Sequence, residues 1–333
     1  MVDYNKITDW FYKKRRECEV SRFGNGSGGL PRRWKTLPGR IGRNWELYLF
    51  VLPLVVYLIV FRYVPMYGVQ IAFKDFSVSR GIQGSEWVGL RYLSQFFRSF
   101  YFETVIRNTL TLTILSLILG FPLPVLLALA LNETAPRLKK TVQTVTFAPH
   151  FISTVVMCGI ILIFTSPSSG LINNIIAALG GERVNIMQKT GMFKWVYILS
   201  GIWQETGWSS IIYVAALSNV SSEQLEAAWV DGANKLQRVI YINFPVLVPT
   251  IITLLILRCG SLLSVGYEKV YLLQNSVNIP ESEVISTYVY KSGLESNNYS
   301  LSAAVGLFNS VINSSILIAV NWISRKVGEN SLW

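Results

Sequence analysis

Six long apolar stretches decide what this chain can become. They cover residues 45–64, 105–131, 142–164, 193–217, 245–265 and 303–323. Each is close to the roughly 20 residues that a helix needs to cross about 30 Å of hydrocarbon. In lipid, backbone polar groups must be satisfied within the chain, so an open spanning segment of this kind has to be helical. The expectation is an all-α membrane protein with six transmembrane helices. Composition agrees: 15% of the residues are charged, against about 25% in soluble domains.

Basic residues orient the spans. On one side, Lys and Arg number 11 before the first span, 3 near 137–140, 2 in 220–244 and 2 after the sixth span, 18 in all. The other side holds 4 in 68–103, 2 in 165–192 and 1 in 276–300, totalling 7. The positive-inside rule then places both termini in the cytoplasm. The expected organisation is a basic cytoplasmic tail over 1–44, a six-helix transmembrane domain over 45–324 with a cytoplasmic loop at 220–244, and a cytoplasmic tail over 325–333. KKRR at 13–16 and RRWK at 32–35 suit a tail lying on anionic lipid. The first apolar run begins only after about 44 residues, too late for a secretory leader.

Several function classes fall away. The net charge of +11 could suggest nucleic acid, but the charges flank apolar runs, so no nucleic-acid partner is expected. Cys18, Cys158 and Cys259 have no paired spacing. The single histidine, His150, excludes a multi-histidine zinc site. No paired catalytic carboxylates and no Ser–His constellation point to an enzyme, so catalytic and metal residues are expected to be none. The chain has no G-x-x-x-x-G-K-[ST], so any ATP and Mg²⁺ would sit on a partner.

The loop at 220–244 departs from its surroundings. Its core reads EAAWVDGANKLQRVIYINFP from Glu226 to Pro245. Ser221 precedes Gln224 by three residues, the spacing of a capping box. Leu225, Ala228, Trp229 and Gly232 fall on one helical face, and Gly232 is a natural stop. About ten residues at 1.5 Å give a rod of roughly 15 Å, suited to lying across a membrane surface. Pro245 fits the first turn of the next span. Periodicity alone leaves open an ordinary interfacial connector.

The residue identities add more. Glu226-Ala227-Ala228, then Asp231-Gly232-Ala233, then Ile242 and Pro245, resemble the cytoplasmic signature loop of binding-protein-dependent ABC importer permeases. Val239 and Phe244 depart from the family's usual aromatic and Leu. Asn108-Thr109-Leu110, Trp203, GYEKVYLLQN at 266–275 and the C-terminal YSLSAAVGLFNSVI are similar to its oligosaccharide branch, the relatives of the larger maltose-importer permease. The resemblance implies a type I importer permease fold in a bacterial plasma (inner) membrane. It implies no cofactor on this chain. The implied partners are a second related permease, an ATPase dimer, an extracytoplasmic solute-binding protein and an oligosaccharide. The short loop helix would dock on the ATPase, with Glu226 as a charged handle for an Arg there.

Charged or polar residues inside spans are costly and usually face a cavity. In the maltose-importer relative, sugar contacts come partly from the helix before the signature loop, which by distance from Glu226 implies Gln204, Glu205 and Trp208 here. An indole can stack on a pyranose, and amides or carboxylates can bond its hydroxyls. Ser261, Ser264, Tyr267, Asn309 and Asn313 are further substrate-path candidates, though Ser and Asn also serve as interhelical contacts. Arg258 either pairs with Glu205, making both structural, or lines the path and favours acidic sugars. The alternative class is a stand-alone secondary transporter or channel, which would predict an inverted repeat; none is visible.

Overall fold

The computed structural model describes residues 45–327. The basic tail and the last six residues lie outside the described part, so the expectations for 1–44 and for most of 325–333 are not addressed by it. The regular structure of the described chain is helical except for one two-residue antiparallel ribbon, β1 (Lys74–Asp75) with β2 (Glu86–Trp87), in which Lys74 faces Trp87. It divides into two units at Tyr67 and Gly68. The described part of the first unit is α1 (Trp45–Leu58), followed by a π turn at Ile59–Tyr63 and the short helix Val64–Met66.

In the second unit the principal helices are α2 (Tyr101–Gly120), α3 (Pro122–Asn132), α4 (Pro136–Phe147), α5 (Thr154–Phe164), α6 (Met192–Leu217), α7 (Ser222–Val230), α8 (Lys235–Arg238), α9 (Phe244–Cys259), α10 (Tyr267–Leu273), α11 (Ile285–Tyr290) and α12 (Tyr299–Val327). Pro122 opens α3 in the first helical turn, where its missing N–H costs nothing.

Among the described residues, four stretches are long and apolar enough to cross a membrane alone: Trp45–Phe73, Tyr101–Asn132, Lys235–Cys259 and Tyr299–Lys326. Two expected spans differ from this group. The run at 142–164 is not one straight helix. Pro136–Phe151 and Thr154–Phe164 meet at 99°. Pro149 supplies no N–H to the tight turn Ala148–Phe151, and Ser153 then caps a new helix by accepting from Val156 N–H. Counted as one bent element, the pair brings the total to five. The remaining stretch, α6, is 26 residues long, but Gln204, Glu205, Thr206, Ser209 and Ser210 lower its apolarity at mid-helix. The fifth run is also shorter than expected, since α9 ends at Cys259.

Three apolar clusters hold the second unit. Val125, Ala128 and Leu129 of α3 pack with Tyr213 and Leu217 of α6 and Leu247 of α9. Leu112, Cys158, Phe193, Val270 and Val284 form a second cluster, and Phe96, Val105, Leu263, Ile285 and Val305 a third. The Asn108–Thr109 pair is buried and joins distant segments. Asn108 Nδ2 donates to the carbonyls of Pro280 and Glu283, both at 3.0 Å, and Thr109 Oγ1 accepts from Ile285 N–H at 3.0 Å. Helix α6 meets α4 so closely at Gly207 that a Cβ there would collide with the Thr146 carbonyl.

Candidate coupling and translocation sites

The loop after α6 folds as a short rod with a firm end. Glu223 lies in the first turn of α7, where a negative charge suits the helix dipole. The rod stops at Gly232, whose φ of +77° is natural only for glycine. Gly232 N–H donates to Trp229 O (3.1 Å) and Ala233 N–H to Ala228 O (2.9 Å), which satisfies two terminal carbonyls. The capping box expected at Ser221 and Gln224 does not form, because Ser221 makes no side-chain cap. It forms instead at Asn234 and Gln237, whose side chains each accept the other's backbone N–H at 2.9 and 2.8 Å. The exposed start of α7 can leave its N–H groups to water, whereas Asn234 must restart a helix two residues after a left-handed turn.

Leu225 and Ala228 are half-buried, while Glu226, Ala227, Asp231 and Gly232 are exposed, and Ala233 is half-buried. Trp229 is not on the inward face that its spacing predicts; it is 67% exposed, and Val230 beside it 87%. Pro245 sits in the first turn of α9, behind a π turn at Val239–Asn243. Two residues outside the sequence motif tie this loop down. Arg238 Nη2 donates to Glu133 Oε2 at 2.9 Å, and Asn243 Nδ2 donates to Glu133 Oε1 at 3.1 Å. Their separation in sequence, 105 residues or more, gave no signal.

The second site is a cavity of about 850 Å³ lined by parts of α2, α3, α6, α9 and α10. Gln204, Glu205 and Trp208 all line it. Gln204 Nε2 donates to Ile152 O at 3.0 Å, bracing α6 against the bend before α5. Glu205 Oε2 lies 3.3 Å from His150 Nδ1. Trp208 stacks flat on His150 and meets Phe151 edge-on. Glu205 makes no ion pair with Arg258; the side chain beside it is His150, delivered by the turn that contains Pro149. Arg258 lines the same cavity and is exposed, and its side chain makes no hydrogen bond or ion pair among the described residues.

The other candidates separate. Ser261 and Ser264 line the cavity. Ser261 Oγ donates to Arg258 O, and Ser264 Oγ accepts from Asn313 Nδ2 at 2.9 Å. Asn313 also accepts from Leu263 N–H at 2.9 Å, so it braces α12 against the turn after α9 and does not line the cavity. Tyr267 stacks on Tyr290 at 5.1 Å, outside the cavity lining. Asn309 is likewise outside the lining, and its Oδ1 is buried without a partner. The cavity also contains Lys269, whose Nζ donates to Tyr197 O at 3.2 Å and lies 5.0 Å from that ring's centroid. Lys269 was visible only as one letter of GYEKVY.

Comparison with known proteins places this arrangement. Residues 120–329 match the family described as binding-protein-dependent transport system inner membrane component. Protein LplB of Bacillus subtilis (strain 168) is 39% identical over 321 residues, 96% of this chain and 98% of that protein. The polygalacturonan/rhamnogalacturonan transport system permease protein YteP of the same organism is 42% identical over 288 residues, 86% and 90% of the two chains. A chain of a bacterial ABC transporter involved in import of the acidic polysaccharide alginate superposes with a TM-score of 0.81 at 40% identity, covering 87% of this chain and 99% of that one. Family match, near-full-length relatives and fold agree, and the chain belongs to the binding-protein-dependent ABC importer permeases, multi-pass inner-membrane subunits whose ATPase is a separate polypeptide.

Proposed function

We propose that this permease carries an oligosaccharide through the 850 Å³ cavity on α6, and that acidic glycan fragments are its preferred class. The observation that carries the reading is the polar, aromatic face of Gln204, Glu205 and Trp208 on a helix whose centre is too polar to face lipid. Trp208 offers a stacking surface, and Ser261 and Ser264 offer hydroxyls. Arg258, an always-charged guanidinium with no ion-pair partner of its own on the cavity wall, favours a carboxylate-bearing sugar. The permease of the polygalacturonan/rhamnogalacturonan system and the alginate importer are relatives whose named substrates are of that kind. Arabinooligosaccharide permeases are among the relatives too, at 32% identity for one from Bacillus subtilis, so a neutral oligosaccharide is the competing class.

The reading extends to assembly. The full chain crosses the membrane six times with both termini in the cytoplasm, the bent pair and α6 completing the count. A basic tail over 1–44, a transmembrane domain over 45–324 and a tail over 325–333 make up the chain. It pairs with a related permease, an ATPase dimer and an external solute-binding protein; a bacterial alginate transporter has been captured with its pentasaccharide-bound periplasmic protein. The α7 rod and the turn after it, with Glu226, Ala227, Ala228, Asp231, Gly232 and Ala233, dock on the ATPase, and Pro245 starts the span they drive. When the ATPase pair closes, the rod moves and the attached spans rock, opening the cavity alternately to each side. Family membership sets aside a stand-alone transporter or channel.

The test is ATP turnover of the purified complex with its binding protein, titrated with neutral oligosaccharides and with uronate oligosaccharides of equal length. Stimulation by the acidic series supports the preferred class. Stimulation by neutral sugars alone transfers the site to the competing class. No response to any glycan, in a complex that responds to another solute, removes sugar from the reading.

A further inference from the structure

One guanidinium in the second unit joins three segments of the loop region. Arg238 Nη2 donates to Glu133 Oε2 at 2.9 Å, and Nη1 donates to Ala233 O at 3.1 Å. Its central carbon lies 5.3 Å from the Trp229 ring centroid. Glu133 caps the C-terminal end of α3, where the helix dipole disfavours a carboxylate unless a cation answers it. Asn243 donates to the other carboxylate oxygen at 3.1 Å. The side chains of Arg238 and Glu133 are only 10% and 17% exposed, so the pair is weakly screened. A planar fork can serve a carboxylate, a carbonyl and an aromatic face at once, which a lysine ammonium cannot.

The position of this contact gives it mechanical meaning. Helix α7 is continuous in sequence with α6 on one side. Its other end leads, through the turn at Ala233, into α8 and the next span. The clasp adds a second route, from the turn at Ala233 to the end of α3. Helix α3 in turn packs along the C-terminal half of α6 through Val125, Ala128 and Leu129 against Tyr213 and Leu217. Glu133 therefore joins the loop to the helix pair that also walls the cavity.

We propose that Arg238 and Glu133 are positioning residues for energy coupling: their ion pair makes α7, the end of α3 and the α3–α6 cavity wall move as one body. This rests on the coupling reading of α7, and the experiment separates the two. The full complex is assembled with wild-type permease, Glu133→Gln, Arg238→Gln, Arg238→Lys and the double Glu133→Gln/Arg238→Gln, with Glu226→Ala in parallel. The readout is ATP turnover with loaded binding protein divided by basal turnover, per assembled complex. Each single variant should lower that ratio by at least about fivefold, the range of ordinary site–site coupling. The double variant should be no worse than Arg238→Gln alone, because the ion pair is already lost in either single. Arg238→Lys keeps a cation beside Glu133 and so keeps the test open where Arg238→Gln fails to assemble; it too should lose stimulation, since it cannot hold Ala233 O and Trp229 together with Glu133. A wild-type ratio with only the yield reduced would make the contact merely structural and overturn the proposal. Losses that multiply in the double variant would also overturn it. If Glu226→Ala lowers the ratio and the clasp variants do not, only the clasp falls; if none of them does, the coupling reading falls with it.

Discussion

Trp208 and His150 stack face to face, with ring centroids 4.4 Å apart and planes within 3° of parallel. The two residues come from different elements, α6 and the tight turn after α4. One face of the indole is thus already occupied, and the pair forms a two-ring wall beside Glu205. A sugar has only the far face and the edge of Trp208 to use.

The first prediction follows from that sharing. Trp208→Ala removes the stacking surface, and His150→Ala removes the support that fixes its angle. Aromatic pairs are worth about 0.5–1.5 kcal/mol, or roughly twofold to tenfold in affinity. Both variants should lose oligosaccharide uptake by about that factor while complex yield and basal ATP turnover persist. Uptake and yield measured side by side check this. Normal uptake in Trp208→Ala would remove the α6 face from the substrate path.

The second concerns Glu205. Breaking a buried ion pair costs about 3–5 kcal/mol, but Glu205 has no Arg258 partner, and its side chain is 47% exposed towards the cavity. Glu205→Gln should therefore leave the thermal midpoint of the complex near wild type. It should shift substrate preference, raising uptake of acidic fragments relative to neutral ones, because a negative charge leaves a wall shared with Arg258 and Lys269. A large fall in the midpoint with unchanged preference would make Glu205 structural.

How far the sequence reaches depends on the kind of contact. Apolar length found the regions of the spans, because lipid requires that property of every crossing helix. It did not find the 99° bend between α4 and α5, because hydropathy carries no direction: the run at 142–164 joins the end of the more polar α4 to the apolar α5, and only the turn at Pro149 separates them. Gly232 was legible as a helix stop because one backbone conformation demands that residue. The capping box was misplaced by 13 positions, from Ser221 to Asn234, because both starts carry suitable side chains and only the path of the loop chooses between them. His150, Glu133 and Arg238 were not legible. Each acquires its role from a neighbour distant in the chain, and one sequence holds no trace of such pairs.

The third prediction tests the close approach of α6 and α4. At Gly207 a Cβ would overlap the Thr146 carbonyl and lie 2.9 Å from Phe147 N, backbone atoms that cannot rotate away. Gly207→Ala must push the helices apart and should cost about 1–3 kcal/mol, as overpacking does. Gly159, where a Cβ would meet nothing within 4 Å, supplies the control. Thermal unfolding in detergent should show a clear loss for Gly207→Ala and little for Gly159→Ala. Equal behaviour would mean that the two helices do not touch there.

The fourth tests topology. Ser79 and Ser296 are exposed on loops expected to face outward, and Ser222 is exposed at the start of α7, expected to face inward. In intact cells, an impermeant thiol reagent should label cysteine at 79 and 296 but not at 222, against a background with Cys18, Cys158 and Cys259 replaced. Labelling at 222 from outside would overturn the six-span arrangement.

The fifth concerns the rod itself. Gly232 holds φ at +77°, a conformation that costs an ordinary residue about 1–2 kcal/mol. Gly232→Val should fray the end of α7, releasing the Ala233-to-Ala228 hydrogen bond and shifting the exposed Trp229–Asp231 surface. Glu226→Ala leaves the backbone intact, since alanine is the stronger helix former, and removes only an exposed charge. Comparing the two therefore separates rod shape from rod chemistry. Both should lower transport without lowering the amount of permease in the membrane. Glu226→Ala should respond to salt less than wild type does, because an exposed charge contact is screened and its loss removes that sensitivity. Transport at wild-type level in both variants would mean that α7 does not transmit the ATPase stroke.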